Sequence, residues 1–182
     1  MTPTSNARAR YSPGRIIAAA ALILFCLFPA RAQQGDLTPP RVEVKATFGA
    51  SGFGEEISSP HFVAGGSVRF YVTRRFSVEP ELLYMRGSSN DQDYVFTPGV
   101  AYDLTDPTKR AVPYIAGGVG AFHHRGRFTS STSWTAGAGG GVKIFLNDRL
   151  FIAPDARLGF VGSEPTMRGT VSLGYVLSGR RR

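Results

Sequence analysis

Residues 141–160 read GVKIFLNDRLFIAPDARLGF. Val142, Ile144 and Leu146 alternate with Lys143 and Phe145. After Asn147-Asp148-Arg149, Leu150, Ile152, Pro154, Ala156 and Leu158 alternate with Phe151, Ala153, Asp155 and Arg157. Period-two alternation marks strands with two unlike faces. Asn and Asp tolerate positive φ, so Asn147–Arg149 suits a three-residue hairpin loop. The same unit occurs 74 residues upstream, where residues 68–84 read VRFYVTRRFSVEPELLY. Arg69 matches Lys143, Arg75 matches Arg149, Pro80 matches Pro154 and Glu81 matches Asp155. With odd loops, Leu146 faces Leu150, Ile144 faces Ile152, Phe70 faces Val78 and Arg69 faces Glu79. Each face stays pure, whereas a one-residue slip would flip every side chain.

Outward from these hairpins the alternation hardly stops. It predicts strands over 41–53, 61–72, 76–86, 93–104, 111–122, 134–146, 150–161 and 167–177. The connections are 54–60, 73–75, 87–92, 105–110, 123–133, 147–149 and 162–166, with 123–133 the longest loop. In the strand over 111–122 the apolar face is ambiguous, and Pro113 suggests that Ile115 and Val119 belong to it. No helical period occurs beyond residue 40.

The first 32 residues read as an export signal. Arg8, Arg10 and Arg15 precede the thirteen-residue apolar run IIAAAALILFCLF (Ile16–Phe28), too short for an ordinary membrane helix. Ala30-Arg31-Ala32 then offers an A-x-A cleavage site, with Ala30 and Ala32 as its small residues. Gln33–Pro40 is a short lead-in, 41–177 the barrel, and Ser178–Arg182 a basic tail. Cleavage removes Cys26, the only cysteine, and with it any disulfide or thiolate site. It also removes four arginines, so the formal charge falls from +8 to +4, with 17 basic and 13 acidic residues left. No basic face with interleaved aromatics points to nucleic acid.

Eight strands of about 9–13 residues suit a membrane wall, because a transmembrane β-strand needs about 9–11 residues. Soluble strands average nearer five or six. The fold expected is all-β: an eight-stranded antiparallel up-and-down transmembrane β-barrel. If its apolar face meets lipid, the lumen receives Glu43, Lys45, Arg69, Glu79, Glu81, Asp103, Lys143, Asp155, Arg157 and Arg168. Five acids then meet five bases in an interior just wide enough to be filled by side chains. The inverse arrangement in a bilayer would expose Arg69, Lys143 and Arg157, at roughly 6–12 kcal/mol together. Gly137, Gly139 and Gly141 share the Lys143 face and would leave room for long charged neighbours. Phe76, Tyr84, Tyr94, Tyr102, Trp134, Phe160 and Tyr175 lie near strand ends, where interfacial girdles form. Pro80, Pro98, Pro113 and Pro154 fall inside strands; in a closed barrel they call for bulges or rim positions.

The turns LNDRLFIAPDARLGF and TRRFSVEPELLY, together with PYIAGGVGAF and the export signal, resemble the small bacterial outer-membrane β-barrel proteins of the OmpA/OmpX-like kind. The resemblance spans about 41–177. It implies an outer-membrane location, both chain ends in the periplasm, and the connections 54–60, 87–92, 123–133 and 162–166 facing outward. It implies outer-membrane lipid and the barrel-assembly machinery as partners, and extracellular or envelope contacts through the outward loops. Such barrels usually end on an aromatic, whereas here Tyr175-Val176-Leu177 is followed by Ser178-Gly179 and three arginines.

Signals of chemistry are sparse. His123-His124 point to opposite faces of a strand and chelate poorly, and His61 stands apart. Ser130, Ser131 and Ser133 share a segment with the histidines, but no motif fixes a serine–histidine pair or its acid. Gly137–Gly141 lacks the spacing and helix of a dinucleotide loop. The reading is therefore a barrel with a structural, surface-interaction or minor-permeability role, not an enzyme, with no cofactor or metal. The alternatives are a secreted soluble β-barrel with the aliphatic face around a small apolar ligand, and an outer-membrane lipid-modifying barrel enzyme.

Overall fold

A computed structural model describes residues 41–54, 60–87, 92–126 and 130–178. The export signal with Ala30 and Ala32, the lead-in, and residues 179–182 of the tail lie outside the described residues. Eight antiparallel strands follow in chain order: β1 (Val42–Phe53), β2 (His61–Tyr71), β3 (Phe76–Arg86), β4 (Gln92–Asp103), β5 (Ala111–Arg125), β6 (Ser130–Phe145), β7 (Leu150–Val161) and β8 (Glu164–Ser178). Each pairs with the next, and β1 pairs with β8, which closes the barrel.

The two repeated turns form as their residues dictate. Val72 and Leu146 donate their backbone N–H to the carbonyls of Phe76 and Leu150 at 2.9 Å each. Asn147 Oδ1 accepts from Arg149 N at 2.9 Å and Leu150 N at 2.8 Å, and Thr73 Oγ1 accepts from Phe76 N at 2.9 Å. These side chains satisfy turn amides that the sheet leaves unpaired. Phe70↔Val78 and Ile144↔Ile152 face each other across them. Both turns, the β4–β5 connection and the strand ends at Val42 and Ser178 share one end of the barrel, called here the turn end. The other four connections share the loop end.

Two expected loops are shorter than the sequence suggested. His123, His124 and Arg125 pair with Thr132, Ser131 and Ser130, so β5 and β6 continue through most of 123–133. The 162–166 loop contracts to Gly162-Ser163, because Val161 already faces Glu164 and Phe160 faces Pro165. Gly162 supplies the positive φ (59°) that this tight reversal requires. Polar composition hid these strand ends, but pairing needs only backbone groups.

The prolines need neither bulges nor, with one exception, the rim. Pro80 and Pro98 face each other in a β3–β4 pairing that runs unbroken from Phe76↔Tyr102 to Arg86↔Gln92. The β2–β3 pairing lapses only between Ser67↔Glu81 and Phe70↔Val78, and the β4–β5 pairing only between Phe96↔Ala121 and Gly99↔Gly118. Around Pro154 the β6–β7 pairing lapses between Gly141↔Asp155 and Ile144↔Ile152. Register is unchanged across each gap. An antiparallel residue aims its N–H at one neighbour, so a proline interrupts pairing on one side and leaves the other intact. Pro113 alone lies near a rim, its carbonyl accepting from Leu104 N at 2.8 Å. One register shift is present, between Val42 and Glu43 in the β1–β8 pair.

The lumen charges and the exposed apolar wall fall on opposite faces. Phe48, Phe62, Leu82, Phe96, Val100, Ile115, Val119, Leu158, Val171 and Leu173 are exposed on the outer wall. Ile115 and Val119 thus resolve the ambiguous strand as outward. The inner face carries the buried polar and charged residues. A soluble barrel with its aliphatic face inside is not this fold.

Candidate functional site

Inner-face alternation brings β1, β2, β4 and β6 together near the turn end. Glu43, Arg69 and Lys143 have no exposed surface at all. Lys143 Nζ lies 2.8 Å from Asp103 Oδ2 and 3.6 Å from Glu43 Oε2, and donates to the Tyr71 hydroxyl. Tyr71 in turn donates to Asp103 at 2.8 Å. Glu43 also pairs with Arg41. Arg69 connects this layer to the next: its Nη1 lies 3.5 Å from Asp103 Oδ1, and its Nε donates to Glu79 Oε2 at 2.7 Å. Glu79 further accepts from Ser67 at 2.7 Å and pairs with Lys45.

A second group lies nearer the loop end. Glu81 Oε2 accepts from Arg168 at 2.9 Å and from Arg157 at 3.3 Å. Arg157 Nε donates to Asp155 at 3.0 Å, and Asp155 also accepts from the Tyr114 hydroxyl at 2.9 Å. Tyr114 links the two groups: the Arg69 guanidinium lies 4.6 Å from its ring centroid. All ten charged residues singled out in the sequence therefore point inward and carry an opposite-charge partner. A buried charge without such a partner would cost several kcal/mol, so the pairing is what allows a polar interior.

Apolar side chains fill the rest of the lumen. At the turn end Val112, Phe145, Phe151, Ala153 and Val176 pack together with Tyr114. At the loop end Val63, Leu83, Met85, Val95 and Phe122 pack with Phe53 and Val161. Gly174 lies directly under the Phe151 ring, and a Cβ at Gly141 would meet the Tyr114 hydroxyl at 2.9 Å. The space beside Gly141 thus admits a tyrosine that holds a carboxylate. A cavity of about 60 Å³ remains between Glu81, Arg157, Arg168 and the loop-end apolar group, lined also by Gly137.

Sequence reasoning missed four members of this interior. Tyr71 and Tyr114 carry hydroxyls into the network, Arg41 precedes β1, and buried Asp93 meets His124 Nδ1 at 2.6 Å. Strand parity could have found Asp93, which shares the face of Thr97 and Asp103; nothing local marked Arg41.

The histidines divide as neighbours on a strand must. His124 turns in to Asp93, and His123 turns out beside Ser130 and Thr132 at the loop end. Ser130 Oγ lies 3.5 Å from His123 Nε2, while His123 Nδ1 meets Thr132 Oγ1 at 2.9 Å. A threonine thus occupies the place where an orienting carboxylate would be needed for nucleophilic catalysis. Among the described residues no cluster of three or more His, Cys, Asp or Glu could hold a metal ion.

A family model described as the outer membrane protein beta-barrel domain matches residues 17–167. The chain belongs to that family. Like its family, this outer-membrane barrel sits in the lipid of the outer membrane, with its apolar wall outward. Similar solved structures include the N-terminal β-barrel domain of Pseudomonas aeruginosa OprF, 13% identical over 75% of this chain and 97% of that one, with a TM-score of 0.62. Neisserial surface protein A is 12% identical over 75% and 96%, with a TM-score of 0.60. The outer membrane enzyme PagL is 16% identical over 72% and 97%, with a TM-score of 0.53. At these identities the likeness is one of fold. No curated protein matches the sequence of this barrel.

Proposed function

We propose that this protein is a plugged, non-catalytic barrel of the outer membrane, with a structural or surface-contact role and at most minor permeability. The observation that carries this reading is the filled lumen, where charges on seven of the eight strands pair across the interior. Eight-stranded barrels generally have interiors filled by side chains rather than water. The chain ends and tight turns face the periplasm in this reading, and the loop end faces outward, offering contacts to other surfaces. The barrel-assembly machinery is the partner for insertion.

Planar-bilayer recording of the refolded chain tests the permeability part. Small or no conductance steps are expected, and stable steps of a wide-pore porin would overturn it. The enzyme reading draws on one contact, Ser130 to His123. Outer-membrane lipids incubated with the protein should stay intact. Acyl release that disappears in Ser130→Ala would replace the passive reading with hydrolysis.

A further inference from the structure

We infer that the turn end is a binding collar for anionic phospholipid headgroups. Five exposed cations stand there on three turns: Arg74 and Arg75 between β2 and β3, Lys109 and Arg110 between β4 and β5, and Arg149 between β6 and β7. Two acids accompany them, Asp106 and Asp148. Asp106 Oδ1 accepts from Thr108 N at 2.9 Å within its own turn, and Asp106 also feels the charges of Arg74 and Arg75.

Charge alone would suit any anion, but each turn also carries an exposed aliphatic side chain beside its cations. These are Val72, Leu104 and Leu146. Aromatics adjoin them on the outer wall: Val72 N donates to Phe76 O, Phe76 faces Tyr102, and Leu146 N donates to Leu150 O, with Leu150 facing Tyr175; Tyr102 and Tyr175 are exposed. Arg149 lies over this aromatic layer, its Nη1 donating to the Tyr175 hydroxyl at 3.2 Å. Exposed aliphatic and aromatic side chains on the outer wall set the neighbouring cations at the membrane boundary, where acyl chains meet the wall and phosphates meet the cations. A soluble anion would find the cations but would leave the three aliphatics in water. The collar rests on the membrane embedding and not on the passive role proposed above.

Association of spin-labelled phosphatidylglycerol and phosphatidylcholine with the folded full chain in phosphatidylcholine bilayers tests the collar. Phosphatidylglycerol should be preferred by at least about fivefold, the effect of one well-placed cation, and the preference should fall with salt. The triple variant Arg74→Gln, Arg75→Gln, Arg149→Gln should lose it while its unboiled band still shows a folded barrel. Arg125→Gln, at the other end, should keep it. Equal association of the two lipids, or a preference that survives the triple variant, overturns the collar. Displacement of the lipid by free glycerol phosphate would assign the cations to a soluble phosphate instead and also overturn it.

Discussion

At the scale of single residues the interior is held by partners, not by size. Arg69 stands between Glu79 and Asp103, so Arg69→Met leaves buried carboxylates short of a cation. Breaking a buried pair in this way costs about 3–5 kcal/mol, which urea unfolding in lipid vesicles would read. Combining it with Glu79→Leu should not recover that loss, because Glu79 is also the carboxylate that pairs with buried Lys45. Gly174→Ala drives a methyl into the Phe151 ring and should cost about 1–3 kcal/mol by the same assay. Phe151→Leu should relieve part of it. The membership of this interior was legible, since parity alone sorts Lys143 from Ile144 and Arg157 from Leu158. The pairings were not: Arg168 meets Glu81 across 87 residues of chain, and such partners are set by how the strands stagger around the barrel.

At the scale of elements, strands are fixed by the two media they separate. Val171 lies midway along β8 on the outer wall, facing Phe48 and Pro154. Val171→Arg should destabilise folding in vesicles by roughly 2–4 kcal/mol, whereas a surface position beyond the lipid would tolerate it. The β4–β5 turn answers to acid. Thr108, through its backbone N–H and side chain, holds the Asp106 carboxyl below its ordinary value of 3.8. A depressed folded value means that this support is present above the ordinary pKa and is lost as pH falls through the folded one. Below pH 3.8 the Thr108 amide should therefore exchange hydrogen faster, relative to its intrinsic rate, than it does at neutral pH, and NMR would follow it. The bounds of β3 and β7 were readable from alternation. The loop-end extensions of β5, β6 and β8 were not, because His123, Ser130 and Glu164 leave the apolar wall while the ladder goes on.

At the scale of the whole molecule, the barrel should separate with the outer membrane, and unboiled samples should run apart from boiled ones on a gel. A single mobility with and without boiling would contradict a closed barrel of eight paired strands. The overall fold was legible because hydropathy in a membrane wall is nearly a one-bit code. The filled lumen was only half legible, since Phe151 over Gly174 and Tyr114 against Asp155 depend on strands brought together by closure. The separation of faces also governs the chain before it reaches a bilayer. Water drives apolar groups together, and here that would gather Phe48, Leu158 and Leu173 inward and turn Arg69 and Lys143 out. Collapse in transit is thus a step toward an inverted object, from which the barrel must be undone. The exported chain has to be kept from collapsing until lipid is at hand.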